Sequence, residues 1–337
     1  MIHLVKTTNR YGMTLSTELQ GKLINLLQDD SLQVTEQIQS LWSGYGQIVR
    51  CTSQVHQTHY IVKCISPEQK HAHPRGWNTD VSHQRKLKSY MVESAFYQTL
   101  APQLDARCRV PQLIASQTSP TETLLVMEDL DAMGFDRRIK SMNMDALAQC
   151  VRWLAFFHAK CWQIENKKVW RRGGYWHLST RQDEWQAMPE GTLKQQAKVI
   201  DACLNQAQFQ TLIHGDAKFA NFCFDEPLTV TAAVDFQYTG YASPVKDLVC
   251  LFSSALTDDA LQYYDIRLID AYLSQLTQAI QFYQLDINIA QVSREVSALY
   301  SFAWADKYRF LLGWNGQSNK ITRYMQQQTD KALSRLA

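Results

Sequence analysis

Several things are missing from this chain, and each absence removes a class of protein. Its eight cysteines, at 51, 64, 108, 150, 161, 203, 223 and 250, form no Cys-x-x-Cys pair. They are scattered through apolar segments, which argues for free core thiols in a reducing compartment and against a disulfide frame or a zinc cluster. No apolar run approaches the ~18 residues a membrane span needs, and the opening Met1-Ile2-His3-Leu4-Val5-Lys6 lacks the apolar core of a secretory signal. The formal net charge is only +2, so no global field attracts nucleic acid or an acidic partner. Internal repeats and low-complexity tracts are missing as well. The expectation is a soluble, cytoplasmic protein that binds neither nucleic acid nor membrane and needs no obligate protein partner.

What is present is ordinary globular material. Of 337 residues, 45% are apolar, enough for a sizeable core, and the length suggests two lobes or domains. The segments 47–54, 60–65 and 122–130 alternate like strands of a small sheet. From about residue 143 the texture changes: Leu147, Val151, Leu154 and Cys161 recur at helical spacing, and 258–284 and 292–314 are similarly long and amphipathic. This predicts a strand-rich N-terminal lobe over 1–128 and a helical lobe over 129–337. The seam falls near 128–133, and a cleft there is the default ligand site.

The most informative stretch is 211–237. Asp216, Asn221 and Asp235 stand beside the apolar runs Leu212-Ile213, Phe222-Cys223-Phe224 and Ala232-Ala233-Val234. Desolvating a carboxylate there is costly unless it is paired or bound to a metal. Residues 221–224 and 228–235 read as two strands joined at Asp225-Glu226-Pro227. Antiparallel pairing then brings Asn221 and Asp235 to one end, with a bulge or longer turn to absorb the unequal arms. Asp216 precedes this hairpin by a loop containing Lys218. An amide oxygen with a carboxylate suits Mg²⁺, which takes a few protein oxygens plus phosphate and water. A second carboxylate can accept a hydroxyl proton, and a lysine can neutralise a moving phosphoryl group. Phosphoryl transfer needs these parts.

The run His214-Gly215-Asp216-Ala217-Lys218-Phe219-Ala220-Asn221 has the Asp-x-x-x-x-Asn spacing of the protein-kinase catalytic loop, with Gly215 where eukaryotic protein kinases usually carry Arg. Val234-Asp235-Phe236-Gln237 stands where they have Asp-Phe-Gly. The His-Gly-Asp form resembles the aminoglycoside phosphotransferase and choline kinase superfamily, and the Asp-Phe-Gln form resembles its ecdysteroid kinase-like branch. Segments 76–93 and 124–130 also look like that branch, so the resemblance runs from about residue 40 to about 255 and leaves only helices beyond.

The resemblance implies an α+β, bilobal protein kinase-like fold with a small antiparallel-sheet N-lobe and a large, mainly helical C-lobe. It also implies ATP- and Mg²⁺-dependent phosphorylation of a small-molecule hydroxyl, on an amino alcohol, aminoglycoside, sterol or similar acceptor. Asp216 would be the base, Asn221 and Asp235 the Mg²⁺ ligands, and Lys218 a γ-phosphoryl contact.

If so, a lysine on a strand should grip the inner phosphates and pair with a helical glutamate. Lys63 shares a strand face with Ile61 and Ile65, and Glu93 shares a helical face with Tyr90, Phe96, Tyr97 and Leu100. Two misplaced charges of opposite sign account for each other; the plainer alternative is a snorkelling lysine and a partly exposed glutamate. Gly44 and Gly46 offer a phosphate-covering loop without a third glycine, or simply a turn. Met127 and Glu128 are hinge candidates that would meet adenine through their backbone.

Between Gln237 and Lys246 there is no room for the activation segment of a protein kinase, and no Ala-Pro-Glu occurs, so a small acceptor is favoured over a protein. Asp247 reads as a helix-start or loop-tethering residue and His158 as a satisfied core histidine. His56, His59, His71 and His73 do not supply a zinc frame. Trp153, Trp162, Trp304 and Tyr308 are either core aromatics or an acceptor pocket, where Asp306 could face a cationic amine. The basic link 66–88 is either a solvated loop or a cover that attracts anionic ligands. A silent nucleotide-binding regulatory module is the rival from another class.

Overall fold

The computed structural model describes residues 17–41, 44–66, 79–119 and 121–336. Most of the basic link, with Gly76-Trp77-Asn78, His71 and His73, lies outside the described residues. Internal contacts divide the chain into two compact units, Met1–Asn78 with Leu113–Ala132, and Thr79–Gln112 with Met133–Ala337.

The first unit is a five-stranded antiparallel sheet with one helix, α1 (Thr17–Leu27). Its strands are β1 (Gln33–Ser40), β2 (Gly46–Ser53), β3 (Thr58–Ile65), β4 (Leu113–Thr118) and β5 (Thr123–Glu128), in the order β1-β2-β3-β5-β4. Period-two alternation puts Val49 and Cys51, Val62 and Cys64, and Leu124 and Val126 in one core with Leu19 and Leu23 of α1. Lys63, between Val62 and Cys64, therefore belongs to the opposite face. It stands opposite Ile48 on one neighbouring strand and Leu125 on the other. Gly46 opens β2 opposite Ile65, and an added Cβ would lie 2.0 Å from the Cys64 carbonyl oxygen, so close strand approach alone demands glycine there. Arg50 ties β2 to the chain just after β5, holding Asp129 at 2.6 Å and Asp131 at 2.6 Å, with Glu36 as a third partner.

The second unit is mainly helical: α2 (Asp80–Thr99), α3 (Met144–Lys160), α4 (Gln182–Ala187), α5 (Thr192–Asn205), α6 (Val245–Ala255), α7 (Asp258–Phe282), α8 (Ile289–Asn315) and α9 (Arg323–Ser334). Side-chain caps start the main helices: Thr79 accepts from the Ser82 amide before α2, and Asn143 from the Ala146 amide before α3. Two small antiparallel pairs complete the unit, β6 (Thr211–Ile213) with β9 (Gly240–Ala242) and β7 (Phe222–Phe224) with β8 (Thr231–Ala233). The periodic segments expected from sequence appear as α3, α7 and α8.

α2, which carries Glu93, groups with this helical unit. Its buried face runs from Ser89 to Tyr97, and Phe96 stacks on Phe236 at 3.8 Å between ring centroids. Two alternatives left open for the helices are decided. Trp153 and Trp304 are almost fully buried and belong to the core, Trp153 stacked on Phe157 and Trp304 edge-on to Tyr324, so neither lines an acceptor pocket. Asp306 is fully buried, with Arg309 at 2.8 Å and Lys246 at 3.3 Å, so its charge is already answered within the protein.

Candidate active site

β7 and β8 pair with Phe222 opposite Ala233, and the Val234 amide donates to the Asn221 carbonyl at 3.0 Å. That register sets Asn221 and Asp235 side by side at one end of the hairpin. The unequal arms are absorbed by a long turn: the Asp225 carboxylate collects the amides of Thr229 at 2.8 Å and Val230 at 3.0 Å and the Thr229 hydroxyl at 2.6 Å. Asp235 itself has φ +73°, left-handed backbone that most side chains avoid and aspartate tolerates better than most. Strain of this kind costs about 1–3 kcal/mol and concentrates at functional sites.

The loop before the hairpin begins where β6 ends. Gly215 has φ +81°, and a Cβ there would meet the Tyr238 carbonyl oxygen at 2.0 Å, which explains glycine where protein kinases place arginine. Its neighbours are held from a distant helix. Asp247, in the first turn of α6, accepts the His214 amide at 2.6 Å and the Gly215 amide at 2.9 Å. The same carboxylate meets His158 Nε2 at 3.2 Å, and His158 Nδ1 meets the Tyr272 hydroxyl at 2.9 Å. Both sequence expectations stand: Asp247 is a tether, and His158 is a satisfied core histidine.

His214 is fully buried and spans the loop and the hairpin. Its Nε2 lies 3.1 Å from the Val234 carbonyl, and its Nδ1 accepts the Asp216 amide at 3.3 Å. Accepting at Nδ1 makes Nε2–H the donor, so the ring is neutral. Burial pulls its pKa below that of an ordinary histidine, against the opposing pull of Asp247, Asp216 and Asp235.

Asp216 Oδ2 lies 2.9 Å from Lys218 Nζ, which is also 3.9 Å from Asp235 Oδ2. Lys218 thus links the carboxylate of the loop to that of the hairpin. Burial lowers its pKa, but the two carboxylates more than reverse this, so it sits above the ordinary lysine value and is charged. The Asn221 amide nitrogen donates to the Asp216 carbonyl at 2.9 Å, which leaves the amide oxygen as the free end of that side chain. One amide oxygen and one carboxylate at the same hairpin end fit Mg²⁺, an ion that needs few protein ligands when phosphate and water complete its shell. Among the described residues no group of three or more His, Cys, Asp or Glu side chains could hold a metal ion by itself.

The other sequence candidates fall as follows. Lys63 is buried on β3, with Gly44, Gly46, Met127 and Glu128 in the same first unit. Glu93 is buried on α2 in the second unit, with Asp216, Lys218, Asn221 and Asp235. Sequence reasoning missed the surroundings of Asp216. Its Oδ1 faces Cys250 Sγ at 4.0 Å, and Lys307 and Tyr175 are near enough for each to feel the Asp216 charge. The available signal was Asp306, Lys307 and Arg309 clustered within the aromatic stretch 300–314.

A kinase-like fold that joins an Asp-x-x-x-x-Asn loop to an Asp-Phe hairpin is that of a phosphotransferase. The chain belongs to the phosphotransferase enzyme family, whose model matches residues 45–283. No curated protein matches its sequence. Among solved structures, an ethanolamine kinase from Plasmodium vivax is similar over 93% of this chain and 84% of its own, with a TM-score of 0.52 at 11% identity. The aminoglycoside phosphotransferase APH(3'')-Id of Streptomyces rimosus covers 84% of this chain and 98% of its own, with a TM-score of 0.44 and 14% identity. The GDP complex of aminoglycoside 2'-phosphotransferase-IIIa covers 96% and 98%, with a TM-score of 0.43 and 12% identity. At these identities the likeness is one of fold.

Proposed function

We propose that this phosphotransferase moves the γ-phosphoryl group of ATP, with Mg²⁺, onto a hydroxyl of a small molecule. The observation that carries the reading is the Lys218 ammonium between two carboxylates, 2.9 Å from Asp216 and 3.9 Å from Asp235, with Asn221 locked beside them. Asp216 orients the acceptor hydroxyl and takes its proton as the oxygen attacks phosphorus. Lys218 neutralises charge on the moving phosphoryl group. Asn221 and Asp235 hold Mg²⁺, which when bound offsets phosphate charge and fixes the triphosphate.

Lys63, with Glu93 as its counter-charge, grips the inner phosphates; Gly44 and Gly46 cover them, and Met127 and Glu128 meet the base through their backbone. A small acceptor is supported by the short path after Gln237: β9 closes at Ala242 and α6 begins at Val245, a connection too short for the activation segment of a protein kinase. The ethanolamine kinase that shares the fold also takes a small molecule by name. The eight cysteines form no disulfide and seven of them are buried, which agrees with a cytoplasmic setting.

The test pairs binding with turnover. ATP with Mg²⁺ should raise the melting temperature by mass action, and Asp235→Ala should remove the metal-dependent part of the shift. Asp216→Asn should keep nucleotide binding while ADP release with an identified acceptor falls at least ~10²-fold. Equal thermal shifts in EDTA and in Mg²⁺ would count against the metal assignment. Nucleotide binding without turnover on any of a panel of amino alcohols, aminoglycosides, nucleosides, sugars and sterols would favour a silent regulatory module.

A further inference from the structure

Lys218 takes one oxygen of Asp216 on the side of Asn221 and Asp235. The other oxygen, Oδ1, faces Cys250 Sγ at 4.0 Å. If the phosphoryl group arrives on the Lys218 side, the acceptor approaches along this second side. Lys307 of α8 stands there, only 4% exposed. Its ammonium lies 4.7 Å from the ring centroid of Trp176 and 5.7 Å from that of Tyr175, and it forms no ion pair among the described residues. Burial lowers its pKa; Lys320, in the exposed turn before α9, pushes the same way, while Cys250 and Asp216 oppose.

A buried ammonium held mainly by aromatic faces and a neutral thiol lacks the counter-ion that buried charges normally have. The acids nearby are already engaged: Asp306 with Arg309 at 2.8 Å and Lys246 at 3.3 Å, and Glu184 with Arg181 at 2.8 Å. Asp306 and Glu184 therefore already face cations, whereas the Lys307 ammonium, with no ion pair among the described residues, remains to receive an anion. The half-buried ring of Tyr175 stands edge-on to the fully buried Trp176 and adds an apolar contact beside it.

We propose that Lys307 anchors an acidic group of the acceptor, so the molecule phosphorylated is an alcohol that also carries a carboxylate, phosphate or sulfate. This rests on the reading of the site as a hydroxyl phosphotransferase. The hydroxyl lies at Asp216 Oδ1, the acidic group at Lys307, and the body of the molecule against Tyr175. Lys320 adds a second positive charge at the rim. An anion in place supplies the missing counter-charge and favours the protonated form of Lys307.

Three rigid probes of one shape test the assignment: 4-(hydroxymethyl)benzoate, benzene-1,4-dimethanol and 4-(aminomethyl)benzyl alcohol. Titration calorimetry without nucleotide should rank them acid, diol, amine, with the acid at least ~10-fold tighter than the diol, because opposite charges at close range in a partly dry site outweigh a neutral contact. Lys307→Met should erase the advantage of the acid over the diol, and Lys307→Arg should keep it. The phosphate and sulfate esters of the same benzyl diol show which acidic group is preferred.

An amine that binds best in the wild type overturns the proposal. So does an acid advantage that survives Lys307→Met, or an equal loss for all three probes in that variant. Should Lys307→Met fail to fold, loss of the acid preference in the folded Lys307→Arg protein also overturns it. ADP release separates this assignment from the one it rests on. An acid preference in binding with no ADP release, in wild type and Asp216→Asn alike, leaves Lys307 as an anion anchor and removes the phosphotransfer reading.

Discussion

The Gly215 amide donates to Asp247 Oδ1 across 2.9 Å, while the other oxygen of the same carboxylate takes the His214 amide at 2.6 Å. The conformation of the loop that presents Asp216 is thus set by a residue at the start of α6, after the hairpin. Asp247 is fully buried, so its loss exposes no surface but strands two amides and His158.

Asp247→Ala should cost on the order of 3–5 kcal/mol in urea unfolding, the range for breaking a buried charge network. Asp247→Asn keeps an acceptor and the shape, so its loss should be smaller while turnover still falls. An alanine variant as stable as the wild type would end the tether argument.

Gly215→Ala should destabilise by at least ~2 kcal/mol, since positive φ and a contact with the Tyr238 carbonyl act together. Gly215→Arg should fare no better, although protein kinases carry arginine at the equivalent place. Thermal melts of both variants check this, and an unchanged melting temperature in either would mean that the loop can relax.

Acid should weaken the fold through the buried His177. Burial first, and Lys246 next, pull His177 down to about 3 from 6.5. The unfolded chain then takes up a proton below about pH 6.5 that the folded chain refuses until about pH 3. The contribution of His177 is therefore full above pH 6.5 and is lost as pH falls, by at most about 1.4 kcal/mol per pH unit. Neighbouring Asp201 opposes this, because burial raises its pKa and the folded state binds that proton early. The measurement is thus the difference between wild type and His177→Gln in urea melts from pH 7 to pH 4: the stability gap should narrow toward acid. A gap independent of pH would mean that His177 titrates normally.

Lys63 and Glu93 are 3% and 1% exposed, each on the buried face of its own element. If they answer each other's charge, Lys63→Met or Glu93→Leu alone should cost a few kcal/mol and the double change should recover most of it. Activity should not return with stability. Additive losses in that cycle would mean that each charge is held by other groups.

The hairpin was legible because Asn221 and Asp235 interrupt strands that are otherwise apolar, and a strand leaves few places to hide a charge. The burial of Lys63 and of Glu93 was legible for the same reason. The helices of the second unit were legible in extent but not in partnership. Asp306 looked available for a ligand because its counter-ion Lys246 belongs to another helix, and no local pattern announces such a pair. Lys307 was invisible for the converse reason: helix periodicity says which face is buried, not which charge on that face is left without an opposite. The grouping of α2 with the helical unit follows from Phe96 and Phe236, whose stacking joins positions far apart in the chain.

That stacking has a mechanical side. Phe236 follows Asp235 directly, Phe96 lies one helical turn beyond Glu93, and the two rings are nearly parallel, 8° apart at 3.8 Å. Any rotation of the Asp235 backbone out of its left-handed conformation must drag the Phe236 ring across Phe96 and lever the helix that carries Glu93. The two carboxylates are therefore geared together through a pair of rings.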